Sequence, residues 1–286
     1  MRPGSLERVG LWGWAVVIYV FLLAPLIVIA GASFSGLDPV AKAAAPNPTL
    51  GYVRFPPQHL TLDWYIGIPA SQLKALAVSL ALASAAALGA TIIGVPAALG
   101  LVRSNFPGKQ IVVALFRAPL QIPSIVVGIA FLRFYYAVGS ALGIQLGASF
   151  TGLLIAHVFL TTPYVIGAVT AILMRFNTRL EEAALSLGAS RWSTFRRVTL
   201  PVIMPGAYAG ILYAFLVSFA DVPVSLFLAG PGLATYPVEI FFSSESDFSP
   251  TILASATVVM VFSLALLLFM QRMFGLEALL RTDGRG

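Results

Sequence analysis

The groups able to do chemistry are few in this 286-residue chain: two histidines, His59 and His157, no cysteine, and 11 Asp and Glu against 17 Lys and Arg. Two histidines so far apart build no metal centre, and the lack of cysteine removes disulfides and thiolate ligands. His157 lies in an apolar run with only Thr161 and Thr162 one turn on, which reads as a satisfied core histidine rather than the base of a Ser, His and Asp set. No carboxylates are paired for acid–base work, and no G-x-x-x-x-G-K-[ST] loop offers a phosphate cradle. The chain is therefore expected to be no enzyme, to bind no cofactor and to hold no metal. Two polar features stand out instead. One is Asp221, alone in the apolar stretch Ser218-Phe219-Ala220-Asp221-Val222-Pro223; the other is EEAALSLGASRWSTFRRVTLP, Glu181 to Pro201.

The elements around them follow from composition. With 59% hydrophobic residues, 10% charged and a mean hydropathy of +0.93, the chain lies outside the range of soluble domains. Apolar runs near 11–33, 77–102, 111–135, 150–173, 206–229 and 252–271 are long enough to cross about 30 Å of hydrocarbon as helices. Glycine within them and several internal prolines fit packed helices and not a barrel of alternating strands. The reading is an all-α membrane protein of six spans. Arg2 and Arg8 before the first run, and Ala30-Gly31-Ala32 after it, imitate a signal peptide, but the run is too long for one and reads as an anchor helix. Lys and Arg cluster at the N-terminus, in the 103–110 hinge, in the loop that holds Glu181 to Pro201, and at Arg272, Arg281 and Arg285, so these segments and both termini are expected on the cytoplasmic side. The expected organisation is a cytoplasmic N-terminus over 1–10, a first span over 11–33, a proline-rich periplasmic loop over 34–73 with a short helix near Leu62 to Ile66, a core transmembrane domain over 74–271 containing a cytoplasmic loop at 174–205, and a cytoplasmic tail over 272–286. This asymmetry accounts for the net charge of +6 without a nucleic-acid partner.

In the cytoplasmic loop, Thr178 and Glu181 have capping-box spacing, so a helix is expected to start there with Thr178 as cap. Leu180, Ala183, Ala184 and Leu187 then share one face, Gly188 suits a left-handed stop, and Ser190 can cap a second short helix carrying Trp192 and Phe195 until Pro201 and Pro205 end it. Two short helices joined at a glycine make a compact docking knob; a basic loop lying on anionic lipid is the plainer reading. The residues decide between them. Glu182-Ala183-Ala184, three residues, Gly188, nine residues, then Val198-Thr199-Leu200-Pro201 resembles the EAA loop of permease subunits of binding-protein-dependent ABC importers, with Val198 for the usual Ile. The resemblance implies the type I importer permease fold in a bacterial inner membrane. It also implies that Glu182, Ala183, Ala184, Gly188, Leu200 and Pro201 belong to a site where a separate ATPase subunit docks. The implied partners are a second permease subunit, two ATPase subunits that bind the ATP and Mg, a periplasmic or extracellular binding protein, and membrane lipid.

Asp221 bears on the solute. Unpaired within a span it costs roughly 2.5–3.5 kcal/mol, so it faces a cavity or a partner. It is either a site for a cationic group or a structural group paired with Arg133 or with backbone freed by Pro223. The run from Asp221 through Gly230-Pro231, Pro237-Val238-Glu239-Ile240 and Ser249-Pro250 resembles the spermidine and putrescine branch of these permeases, although that branch tends to carry a doubled acid where this chain has Ala220-Asp221. Relatives for opines, aminophosphonates and ferric iron share much of the pattern. Asp221, Tyr164 and Phe219 are the candidate pathway residues, with aromatic faces suited to a polyammonium chain. A stand-alone channel or secondary transporter is the contrasting class, and it requires ion-coupling residues or inverted broken helices that the sequence does not display.

Overall fold

The computed structural model describes residues 5–36, 55–246 and 250–274. Among these, six helices are long and apolar enough to cross a membrane: Gly10–Ala32, Ala70–Arg103, Ser124–Leu142, Phe150–Leu173, Arg191–Ala220 and Pro250–Phe269. The number and order of spans match the expectation. No strand occurs among the described residues; Ser35 and Leu60 form an isolated bridge. The segment 37–54 of the expected periplasmic loop, and the tail from residue 275, lie outside the described residues.

The chain divides into two compact units, Met1–Ala70 with Ile240–Ala265, and Ser71–Glu239 with Leu266–Gly286. In the first, α1 (Ser5–Ala32) exposes Trp12, Trp14 and Phe21 along its length. Its end is tied to the chain that follows. Ser33 Oγ donates to the Ala30 carbonyl at 2.6 Å and shares a 2.6 Å hydrogen bond with the Tyr65 hydroxyl, while Trp64 Nε1 donates to the Ser35 carbonyl at 2.8 Å. Tyr65 and Trp64 belong to α2 (Asp63–Ile66), the short helix expected near 62–66.

The second unit carries both polar features. α3 (Ala70–Arg103) is 34 residues long and so extends about 51 Å, well beyond a 30 Å hydrocarbon layer. The expected third span at 111–135 is instead two helices, α4 (Lys109–Gln121) and α5 (Ser124–Leu142), parted at Ile122 with φ −88° and ψ 130°. Pro123 forces this break, because a residue before proline is driven from helical into extended backbone. α6 (Phe150–Leu173) starts on Ser149, whose hydroxyl accepts the Gly152 N–H at 3.0 Å, and is buried on most sides. Its partner is α9 (Leu200–Ala220). A Cβ on Gly210 would come within 2.9 Å of Val165 Cα, and one on Gly206 within 2.9 Å of the Ala168 carbonyl. Small residues thus let the two backbones close together where lipid offers no hydrophobic drive.

Two apolar clusters result. Ala87, Ala98, Val165, Val169, Ile203 and Ala214 pack between α3, α6 and α9. Leu82, Val127, Leu153, Val224 and Leu228 pack between α3, α5, α6 and α10 (Pro223–Leu228). The chain continues through α11 (Tyr236–Ser246), whose Tyr236 N–H reaches Ser79 Oγ at 2.7 Å, and ends with α12 (Pro250–Phe274).

Candidate functional site

Between α6 and α9 the polar stretch folds as a two-helix knob, α7 (Arg179–Ser186) and α8 (Arg191–Thr194). α7 begins where expected, but the capping box is not made. Thr178 has helical backbone and no side-chain capping bond, and Asn177 Oδ1 accepts the Arg179 N–H at 3.1 Å instead. The Glu181 carboxylate is turned away, accepting from the Arg103 guanidinium at the end of α3 and from the Thr199 hydroxyl. A guanidinium and a hydroxyl together bind a carboxylate more strongly than one neutral backbone N–H does. Glu181 thereby fastens the knob to the ends of two long helices.

Gly188 has φ +86°, the left-handed turn its position suggests, and the Ala189 N–H closes back on the Ala184 carbonyl at 3.1 Å. Ser190 caps α8, accepting the Ser193 N–H at 3.2 Å, and Trp192 stacks on Phe195 with ring centroids 5.8 Å apart. The helix does not stop at Pro201 and Pro205. It runs on through a π-turn, Phe195–Thr199, into α9, with the Leu200 N–H returning to the Phe195 carbonyl. The wide turn leaves room where a regular turn would press the Pro201 ring against a carbonyl four residues back. The second helix of the knob and the fifth span are therefore one continuous rod.

Among the described residues, the knob presents outward an apolar patch set among charged side chains. Glu182 and Ala183 are exposed, Ala184 is half-buried, Leu187 is 88% exposed and Trp192 69% exposed. Burying a leucine of this kind contributes about 1.5–3 kcal/mol. Of the residues expected in the docking loop, Glu182, Ala183, Ala184 and Gly188 sit on or beside this surface, while Leu200 and Pro201 lie behind it at the start of α9. Glu181 was expected only as a capping-box acid, and Arg103 and Thr199 were not anticipated as its partners. Arg103 is 78 residues from Glu181, and nothing local signals the pair.

Asp221 ends α9 in extended backbone, φ −69° and ψ 127°. Its carboxylate accepts the Ser225 N–H at 2.9 Å and the Ser225 hydroxyl at 3.2 Å, in the first turn of α10. Ser225 Oγ lies 3.1 Å from His157 Nε2, and His157 Nδ1 lies 2.8 Å from Ser218 Oγ. All four residues are buried, Asp221 at 7% exposure. They close a polar network across α6, α9 and α10 that satisfies groups freed by the helix break, as buried backbone in a membrane requires. His157 is the satisfied core histidine expected. Arg133 is exposed, and no ion pair joins it to Asp221 among the described residues.

Phe219 is buried and stacks on Phe215 at 5.9 Å. Tyr164 is half-buried and stacks on Tyr213 at 6.5 Å with planes 12° apart, and Tyr213 is 57% exposed. The structure thus does not gather Asp221, Tyr164 and Phe219 on one open surface. Of the stacked pair, Tyr213, not anticipated, presents the accessible ring. A separate cavity of about 640 Å³, bordered by Tyr135, Tyr136, Gln145 and Phe227, lies at the turn from α5 to α6.

The family model for the "binding-protein-dependent transport system inner membrane component" matches residues 90–276. The spermidine/putrescine transport system permease protein PotC of Shigella flexneri is 33% identical over 96% of this chain and 96% of its own length. The putrescine transport system permease protein PotI of Escherichia coli strain K12 is 31% identical over 86% of this chain and 85% of its own. Among solved structures, a chain of the bacterial alginate ABC transporter in complex with its alginate pentasaccharide-bound periplasmic protein superposes with a TM-score of 0.67 at 17% identity, covering 94% of this chain and 93% of that one. A chain of the inward-facing MetNI methionine ABC transporter gives a TM-score of 0.55 at 16% identity, covering 75% and 98%. The motif, the six spans and these matches agree: the chain belongs to the family of inner-membrane components of binding-protein-dependent transport systems, a multi-pass permease subunit and not an enzyme.

Proposed function

We infer that this chain is one membrane half of an ATP-driven polyamine importer, pairing with a second permease of different sequence, two ATPase subunits and a substrate-binding protein outside the membrane. The observation that carries the solute class is the identity to spermidine and putrescine permeases over nearly their whole length. In this reading an ATPase subunit seats on Ala183, Leu187 and Trp192. Glu182, exposed beside them, supplies the charged contact.

The mechanical logic supports the placement. A motor outside the membrane moves a pathway inside it only through a stiff contact, and a knob continuous with α9 and fastened to α3 by Glu181 gives one. Force on the knob then reaches α9, whose far end is the Asp221 break. Asp221 holds that break from behind, and the exposed Tyr213 face, backed by Tyr164, offers a surface for an ammonium chain. The placement of Lys and Arg supports termini and knob on the cytoplasmic side.

The test is uptake. Proteoliposomes holding the reconstituted complex with ATP inside are given labelled spermidine or putrescine with the binding protein outside. ATP-dependent accumulation, displaced by unlabelled polyamine and not by opines, aminophosphonates or ferric complexes, is expected. Displacement by one of those three classes instead reassigns the solute.

A further inference from the structure

A cleft of about 540 Å³ lies between α4, α6 and the last turn of α3, bordered by Val113, Phe116, Leu120, Ile166 and Gly167 along its walls and by Lys109 and Arg117. Its position is the basic end of the unit, next to Arg103. The walls are apolar apart from Thr170, and both charges are positive; no bordering residue is acidic. Arg117 makes no hydrogen bond or ion pair among the described residues, and Lys109 Nζ gives one bond, to the Ser104 carbonyl at 2.9 Å, with two donors left. Side chains on a helix lean toward its N-terminus, so Arg117, two turns on, is carried toward Lys109. Arg117 is exposed in α4 with no anion beside it, and a cation-bearing solute is repelled here.

The geometry points to a binding site for an anionic glycerophospholipid, its phosphate between Lys109 and Arg117 and one acyl chain along the groove past Phe116, Ile166 and Gly167. Charge complementarity selects this occupant. Basic pockets between membrane helices on the cytoplasmic side suit anionic headgroups, and that leaflet carries them. The inference is independent of the transported solute.

Native mass spectrometry of the full-length chain, purified in mild detergent with its co-purifying subunits and exchanged into phosphatidylcholine bilayers with or without phosphatidylglycerol, reads lipid that stays bound. Wild type is expected to retain phosphatidylglycerol in preference to phosphatidylcholine. Arg117→Gln should lower that retention about fivefold, the loss that matches the pull of one basic residue toward an anionic surface, and Arg117→Lys should restore most of it. Gly167→Leu fills the groove without changing charge, and it folds readily because a Cβ there meets nothing within 4 Å; it should lower retention as well. Unfolding temperatures in pure phosphatidylcholine show whether each variant is intact. No preference in wild type overturns the site. Retention by Gly167→Leu alongside loss by Arg117→Gln reduces it to a charged surface and overturns the groove. Release of a second permease subunit by Gly167→Leu makes the cleft a subunit contact and also overturns it.

Discussion

Glu181 shows how little the worth of a contact in stability says about its role. Its partner Arg103 has a 40% exposed side chain, and pairs of that kind contribute about 0.2–1 kcal/mol. The bond matters because it joins α7 to α3 while Thr199, on the same carboxylate, joins it to α9. Glu181→Ala is expected to leave subunit assembly intact and to lower thermal stability by about 1–3 kcal/mol, the cost of leaving the buried Thr199 hydroxyl without its acceptor, while lowering solute moved per ATP hydrolysed. An unchanged transport-to-hydrolysis ratio in vesicles removes the fastening role. Asp221 makes the opposite case, a buried carboxylate whose bond to the Ser225 N–H holds a broken helix. Asn keeps an oxygen for that N–H and Ala does not, so Asp221→Ala should destabilise by about 1–2 kcal/mol more than Asp221→Asn. Thermal unfolding of the purified complex measures this; equal losses would mean the cap is not what Asp221 supplies. The sequence marked Asp221 by its cost in a membrane and offered freed backbone as one partner, but did not point to the side chains of Ser225 and His157, since the serine is ordinary in type and the histidine is far off in the chain.

At the scale of elements, the two helices of the knob were legible because their signals are local: Gly188 at a left-handed turn, Ser190 at a cap, and apolar positions on one face of α7. The break at Ile122-Pro123 was equally local and follows from the residue before a proline, yet a continuous apolar run from 111 to 135 hid it. Pro201 misled in the other direction, because a π-turn absorbs it. The close approach of α6 and α9 was not legible, as any glycine in a span is compatible with many neighbours. Gly210→Leu is expected to cost about 1–3 kcal/mol or more by overpacking against Val165, read as a lower unfolding temperature and loss of folded chain from the membrane. Gly100→Leu on α3, where a Cβ meets nothing within 4 Å, serves as the tolerant control, and equal damage at both positions would contradict the packing account.

For the whole molecule, six spans and a family motif were readable because hydrophobic length and a spaced motif survive without knowledge of contacts. Orientation rests on charge placement and is open to direct labelling, since the chain has no cysteine of its own. A single cysteine at Ser186 is expected to react with an impermeant thiol reagent only from the cytoplasmic side, and one at Gln145 only from outside; the reverse pattern would invert the topology and remove the knob from any ATPase. The central claim is that this knob is where the ATPase subunit docks. The most direct measurement is quantitative co-purification of that subunit with the wild-type chain and with Gly188→Trp, a change that strains the left-handed turn between α7 and α8, where a Cβ itself meets nothing within 4 Å. The account predicts that the ATPase accompanies wild type and is lost from the variant while the permease itself stays folded. Equal recovery from both would place the contact elsewhere and contradict it.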